Sequence, residues 1–521
     1  MPGNAGPDDG TASAGNRLKT LIAGARILTM DRQDREHECA DILVEGQIVA
    51  AIGPGLRDTP AAAGASVVEA HGMLALPGLI NAHLHSPASL QRGSLDGLPL
   101  ELFMLYEVPP LARDPLAGRV AYVRTALGAM EMLKLGITSV LDDAFYVPAP
   151  NAEAIDGVMQ AYADSGMRAT ATLDQPNVPE TDKYPFLAQI LPPALRRRLD
   201  EAPCPTAEEL LAHYGHLIGR WHGAADGRLG AGVSCSAPQR VTPAYFAALG
   251  ELSRSRDLPF VVHVLETRLQ RVLGAEKYGR SLVRVIRDLG LLDARMQIVH
   301  GIWIDEADID MLAEAGATVA HNPVCNLRLG SGIMPFRRLR ERGVHVCIGT
   351  DEAIADDSCN LWNAAKTAGL IHTLTDPDYR RWPTAPEILS CVFHGGARAM
   401  RREDATGRLA PGFQADIVLV DLDTLAFTPL NDLRRQLVYC ENGSSVRLTM
   451  VAGQVVFRDG RLLTLDEDDI KREARELAAQ LARESGAAAA AAAELMPHYR
   501  EMYLRAMSAP IGMERRAPPA G

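Results

Sequence analysis

The chain has 521 residues, of which 47% are hydrophobic and 23% charged, and a formal net charge of −12. That length carries one large barrel plus a smaller domain, or three ordinary domains, and the composition is globular, neither disordered nor fibrous. The acidic balance argues against nucleic acid or an anionic membrane as partner, since both select basic surfaces.

Residues 1–17, rich in Gly, Ala, Asp and Ser, lack the basic start and apolar core of a secretory signal and read as a disordered tail. Leu18 to Met30 and Asp41 to Ile52 read as strands, the second broken into a hairpin at Glu45-Gly46-Gln47. Val451-Ala452-Gly453-Gln454-Val455 echoes Val44-Glu45-Gly46-Gln47-Ile48 near the other end, with Ala415 to Leu422 as a further strand. Both ends are therefore expected to build one small β-sandwich, residues 18–75 and 401–465, around an inserted middle.

That middle, residues 76–400, alternates short apolar strands with helical patterns such as Arg119 to Lys134 and Arg268 to Leu289. Eight strand candidates end near His85, Asp142, Leu173, Cys235, Val264, His300, His321 and Thr350. The expectation is a (β/α)8 TIM barrel; a doubly wound open sheet is disfavoured because no Gly-x-Gly-x-x-Gly turn follows a strand. Residues 466–521 read as a helical extension, suited to a surface or to subunit packing, ending in a loose Pro-rich stretch after Ala509. No apolar run approaches the ~20 residues of a membrane helix. The eight cysteines are scattered without a Cys-x-x-Cys pair, which fits reduced thiols in a cytoplasm.

In a barrel, chemistry sits at the C-terminal ends of the strands. The first candidate strand ends in His83-Leu84-His85, two imidazoles on one strand face. The fifth ends in His263, with Glu266 three residues on, the sixth in His300, and the eighth delivers Asp351. Three imidazoles and a carboxylate converging on one mouth would suit zinc or ferrous iron with room for a water.

The set Pro77-Gly78-Leu79-Ile80-Asn81-Ala82-His83-Leu84-His85, His263-x-x-Glu266, Val299-His300-Gly301 and Gly349-Thr350-Asp351 resembles the amidohydrolase superfamily. The similarity is to its cytosine-deaminase-like, S-adenosylhomocysteine-deaminase-like and triazine-chlorohydrolase-like branch. It extends to His321-Asn322-Pro323, Leu329-Gly330-Ser331-Gly332 and the Ala-Asp-Ile-Val-Leu stretch before Asp421. The resemblance implies that His83, His85, His263 and Asp351 bind one divalent metal ion per subunit, zinc or alternatively iron, with His300 beside the reacting water. It also implies a mononuclear site, because the fourth-strand lysine that bridges two metals in other members is missing from Leu229 to Pro238.

On these residues Asp351 can take a proton from the water, His300 can polarise the group attacked, and Glu266 can protonate a ring nitrogen and then departing ammonia. The expected reaction is hydrolytic deamination of an amino-substituted N-heterocycle. Loss of chloride or alkylamine from such a ring, or hydrolysis of an acyclic amide, urea or carbamate, are the alternatives, with a non-catalytic binding protein further off. Phe103, Met104, Trp303 and Trp362 are candidate pocket walls, and Glu352, Asp356 and Asp357 could meet an amino substituent. Nucleoside deaminases of the branch carry a histidine after the fourth strand where this chain has Ser236-Ala237-Pro238-Gln239. The absence favours a smaller heterocycle, with Gln239 as a substitute hydrogen-bonding group. Relatives are often dimers or larger, so a homo-oligomer is expected.

Overall fold

In the computed structural model the alternating strand and helix patterns close into a ring of parallel strands; the structure describes residues 18–356 and 358–516. The tail expected over residues 1–17, Asp357, and residues 517–521 of the expected Pro-rich end lie outside the described residues.

Five strands precede the barrel: β1 (Lys19–Leu28), β2 (Glu36–Glu45), β3 (Ile48–Gly53), β4 (Ser66–Glu69) and β5 (Met73–Pro77). The barrel strands are β6 (Leu79–His85), β7 (Ile137–Phe145), β8 (Arg168–Asp174), β9 (Leu229–Ala231) with β10 (Val233–Ser234), β11 (Phe260–Val264), β12 (Met296–His300), β13 (Thr318–His321) and β14 (His345–Ile348) with β15 (Asp351–Glu352). Every ladder among them is parallel, and Asp351 and Glu352 pair with Leu84 and His85, so the eighth strand returns to the first. The ends expected at His85, Val264, His300 and His321 are the observed ones, while β7 runs on to Phe145. Val261 and Leu141, each two residues before a polar site residue, join Val299, Ala320 and Cys347 in an apolar cluster, a layer of side chains under the mouth.

After the barrel, β16 (Ile417–Asp421), β17 (Val446–Val451), β18 (Gln454–Arg458) and β19 (Arg461–Leu462) join β1 to β5 in one nine-stranded sheet, order β19-β18-β17-β16-β5-β1-β2-β3 with β4 on β1. The β-rich unit is thus built by both ends of the chain. Its two echoing turns touch: a Cβ on Gly453, which sits at φ +77°, would run into the carbonyl oxygen of Gly46. Only glycine allows both that φ and that approach.

The helical pattern over Arg268 to Leu289 resolves into two helices, Arg268–Tyr278 and Leu282–Asp288, because Gly279 (φ +64°) closes the first and Ser281 caps the second. Helix Glu467–Glu484 lays Ile470 and Ala474 against Val123, Ala126 and Met130 of helix Gly118–Lys134. One expectation is corrected here. The end after Ala509 is pinned as far as Arg516: Arg268 Nη2 donates to the Ala509 carbonyl at 2.6 Å, and the Ile333 amide to that of Arg515 at 2.7 Å. Proline content says nothing about backbone acceptors, and these are engaged.

Candidate active site

His83 and His85 stand on one face of β6, a strand buried along its whole length. The eighth strand reaches them because residue 349 is glycine: a Cβ there would sit 2.7 Å from the His83 carbonyl oxygen. Asp351 follows at φ +64°, and Ser236, Leu265 and His300 also hold positive φ (63°, 53° and 72°) just where their strands end. Left-handed backbone at non-glycine residues costs energy and gathers at functional sites. Here it turns four strand ends into the mouth.

His83 Nε2 and His85 Nε2 each lie 3.4 Å from Asp351 Oδ1, and His263 Nε2 lies 3.3 Å from His85 Nε2. His85 donates its Nδ1 proton to the Asp143 carbonyl (2.5 Å) and His263 to that of Ser236 (2.9 Å), which turns both Nε2 atoms toward each other. Both ring nitrogens of His83 are buried without a hydrogen-bond partner. Four donors held tetrahedrally at about 2.1 Å from one ion stand about 3.4 Å apart. The donor set and its spacing therefore fit a divalent cation, and His83, His85 and His263 form a group whose ligand atoms all lie within 4.8 Å of one another.

Burial and the neighbouring imidazoles hold His263 well below the usual histidine range. Burial also lowers His83, against the pull of Asp351. Burial opposes charge on His85 too, but the hydrogen bond with Asp351 and the charges of Glu352, Asp351 and Asp143 outweigh it and hold that ring well above. This concentration of carboxylate charge is what a cation would answer.

Beside these donors, His300 Nε2 lies 3.4 Å from Glu266 Oε2 and 3.7 Å from Asp351 Oδ2. Asn326 Nδ2 donates to His300 Nδ1 at 2.9 Å, so the ring proton sits on Nε2 and points at both carboxyls. Burial drives His300 down to about 3, keeping it neutral. Glu266 is held well above the carboxylate range by burial and by the charges of Asp351, Glu101 and Glu352, and its Oε1 accepts from Ser331 Oγ at 3.2 Å.

The cavity over this cluster takes in His263, Glu266, His300 and Asp351 from the sequence-derived set, together with Met104 and Glu352. The other expected wall residues lie outside its lining. Phe103 is buried on the far side of helix Leu100–Glu107, whose Leu100, Met104 and Glu107 face the cavity. Gln239 is buried and its neighbour Arg240 takes its place at the cavity. Trp303 is fully buried with its indole N–H on the Ser331 carbonyl, and Trp362 donates to the Leu135 carbonyl. Asp356 follows Glu352 in a turn closed by its own backbone N–H.

Sequence reasoning passed over Glu107, Asp174 and Arg240. Asp174 ends a barrel strand and could have been found by the rule that located His300. Glu107 could not, because it ends a helix rather than a strand and reaches the cavity only through helix orientation. The segment after β13 was legible only as part of the motif, without a role: Asn322 Nδ2 donates to Asp351 Oδ2 (3.2 Å), Asn326 to His300 and Ser331 to Glu266. The motif residues were visible; their partners were not.

Residues 74–456 match the amidohydrolase family. The 5-methylthioadenosine/S-adenosylhomocysteine deaminase of Desulforudis audaxviator is 32% identical over 464 residues, spanning 89% of this chain and 99% of its own. The solved structure of an adenosine deaminase from Xanthomonas campestris with bound zinc superposes with TM-score 0.76 at 26% identity, covering 88% and 97% of the two chains. The triazine hydrolase from Arthrobacter aurescens does so with TM-score 0.79 at 25% identity, covering 88% and 99%.

Proposed function

Because this chain belongs to the amidohydrolase family and is a hydrolase of carbon–nitrogen bonds other than peptide bonds, we propose that it removes the amino group from the purine of an adenosine derivative. Residues 76–400 are the catalytic unit in this reading, with His83, His85, His263 and Asp351 holding one zinc ion per subunit, ferrous iron being the alternative. The observation that carries it is a buried Glu266, its carboxyl pushed well above the usual range by burial and neighbouring carboxylates, placed 3.4 Å from His300 in the cavity of the four-donor set.

An ion bound there would supply acidity, bringing the pKa of a water down toward about 7. Asp351, with Oδ2 steadied by Asn322, takes the proton released as that water attacks. Neutral His300 offers Nε2–H to charge developing beside the attacked carbon. Glu266 gives its proton to the ring nitrogen, takes one back from the hydroxyl left on the attacked carbon and hands that one to the departing ammonia, and the proton held by Asp351 restores it. The missing histidine after the fourth strand spoke for a smaller heterocycle. Arg240 reaches the cavity from that same turn, so a polar group does face the substrate, and a nucleoside is the better supported choice.

Loss of chloride or alkylamine from a heterocycle is the second reading, supported by the likeness to the triazine hydrolase. A cytoplasmic homo-oligomer completes the proposal, supported by eight free cysteines and by the exposed Leu370, Leu374, Tyr379 and Trp382 along one segment. The test is metal analysis of the purified protein, then assay with adenosine, methylthioadenosine, S-adenosylhomocysteine and a chlorotriazine. Ammonia and an intact oxopurine are expected; chloride release alone, or cleavage of only acyclic amides, overturns the reading. Glu266→Gln should keep its metal and slow turnover about 10²-fold or more; undiminished turnover removes the proton-transfer role.

A further inference from the structure

The residues that handle protons in this reading take their hydrogen-bond partners from one segment, Asn322 to Ser331, and that segment ends in a glycine-containing stretch. Gly330 and Gly332 hold φ of +62° and +127°, conformations that supply no stiffness of their own. What holds the end of the segment is the C-terminus. The Ile333 amide donates to the Arg515 carbonyl at 2.7 Å, and a Cβ on Gly332 would meet that same oxygen at 3.0 Å. Arg515 Nη2 donates to the Ile304 carbonyl at 2.7 Å. Between them lies Trp303, fully buried, its indole N–H on the Ser331 carbonyl at 2.8 Å and the guanidinium groups of Arg268 and Arg516 each 5.8 Å from its ring.

The preceding helix, Gly486–Ser508, does the same for the cavity wall. It buries Leu495, Tyr499 and Met502 against Leu102 and Leu105, the outer face of the helix whose inner face carries Met104 and Glu107. Tyr499 also donates to Glu180, a cavity residue, at 2.7 Å.

We infer that the C-terminal tail, residues 509–516, is a positioning element for proton transfer, setting Ser331 and through it Glu266 by clamping Trp303 and Gly332-Ile333. The inference rests on the deaminase reading. It predicts an effect on turnover greater than on binding, and on an amino leaving group greater than on chloride, which departs without a proton.

The experiment compares the full-length chain, a chain ending at Ser508, Arg515→Ala and Arg515→Lys, on an aminopurine nucleoside and its 6-chloro counterpart. Metal content and thermal unfolding are measured alongside. The shortened chain and Arg515→Ala should stay folded and metal-loaded, lose about tenfold in kcat on the amino substrate, keep KM within about twofold and lose less on the chloro substrate. Arg515→Lys, which keeps a donor for Ile304, should recover part of the loss. If the shortened chain does not fold, Arg515→Ala carries the test alone. Unchanged kcat in a folded variant, or equal losses on both substrates, overturns the inference while an active full-length chain leaves the deaminase reading standing. A metal-loaded full-length chain inert on both substrates overturns that reading and the inference with it.

Discussion

Strand β8 begins at Arg168 and ends at Asp174, and the two ends treat buried charge in opposite ways. At its start, Arg168 grips Asp416 of the β-rich sheet through Nε (2.9 Å) and Nη2 (3.1 Å), and Nη2 also reaches Gln414 at 2.8 Å. Asp416 takes a further hydrogen bond from the Ala452 amide at 2.7 Å. At its other end Asp174 Oδ1, both oxygens of Glu107, Glu352 Oε2 and both nitrogens of His83 are buried without partners. Buried polar groups are nearly always paired, so a group of unpaired ones needs a reason. The first end has spent its charges on joining barrel to sheet; the second keeps them for something the chain does not itself supply.

The contrast predicts that changes at the two ends separate chemistry from stability. The largest effect is expected for His263→Ala, which should drop metal content to background and activity by about 10³-fold or more, with secondary structure retained by circular dichroism. Full metal occupancy in that variant would show that the ion sits elsewhere. Next comes Arg168→Met, which strands Asp416 and should cost about 3–5 kcal/mol in denaturant unfolding, with turnover per folded molecule unchanged at low temperature. Adding Asp416→Leu should recover most of the loss, since removing both charges removes the desolvation penalty. A cost under about 1 kcal/mol would mean that the pair behaves like an exposed one.

The smallest effect concerns His372, buried between these extremes with its Nε2 3.0 Å from that of His321. Burial, aided by the charge of Arg337, pulls His372 down to about 3, against about 6.5 in an unfolded chain. Between those values the unfolded chain binds a proton that the folded one refuses, so stability falls as pH drops below 6.5 and is unaffected above it. Thermal unfolding at pH 7 and pH 5 should therefore show a smaller drop for His372→Gln than for the wild type. Part of the drop remains, because burial holds His321 well below the usual range as well. An identical drop would dismiss His372 as a contributor.

Much of the mouth was legible beforehand because barrel strands are short, apolar and buried, so a histidine or carboxylate closing such a run stands out. His83, His85, His263, His300 and Asp351 were all found in that way. Pocket walls were legible only in part: Met104 and Glu352 line the cavity, but Phe103 and Trp303 do not, because hydrophobicity marks them as buried but not on which side of their element. The echo of Gly46 in Gly453 pointed to one shared β-rich unit, yet nothing in it indicated that the two turns would touch.

The linear chain by itself determined the period of the strands, the polar residues at their ends and the turn at Gly46 that recurs at Gly453. Those are local properties, written in neighbouring residues and in the steric limits of φ and ψ. Only the tertiary structure decided which Asn or Ser steadies which catalytic candidate, and that residues 509–516 lie against the segment carrying Ser331. Such contacts join positions far apart along the chain, and their partners are set by how whole elements pack rather than by what stands beside them.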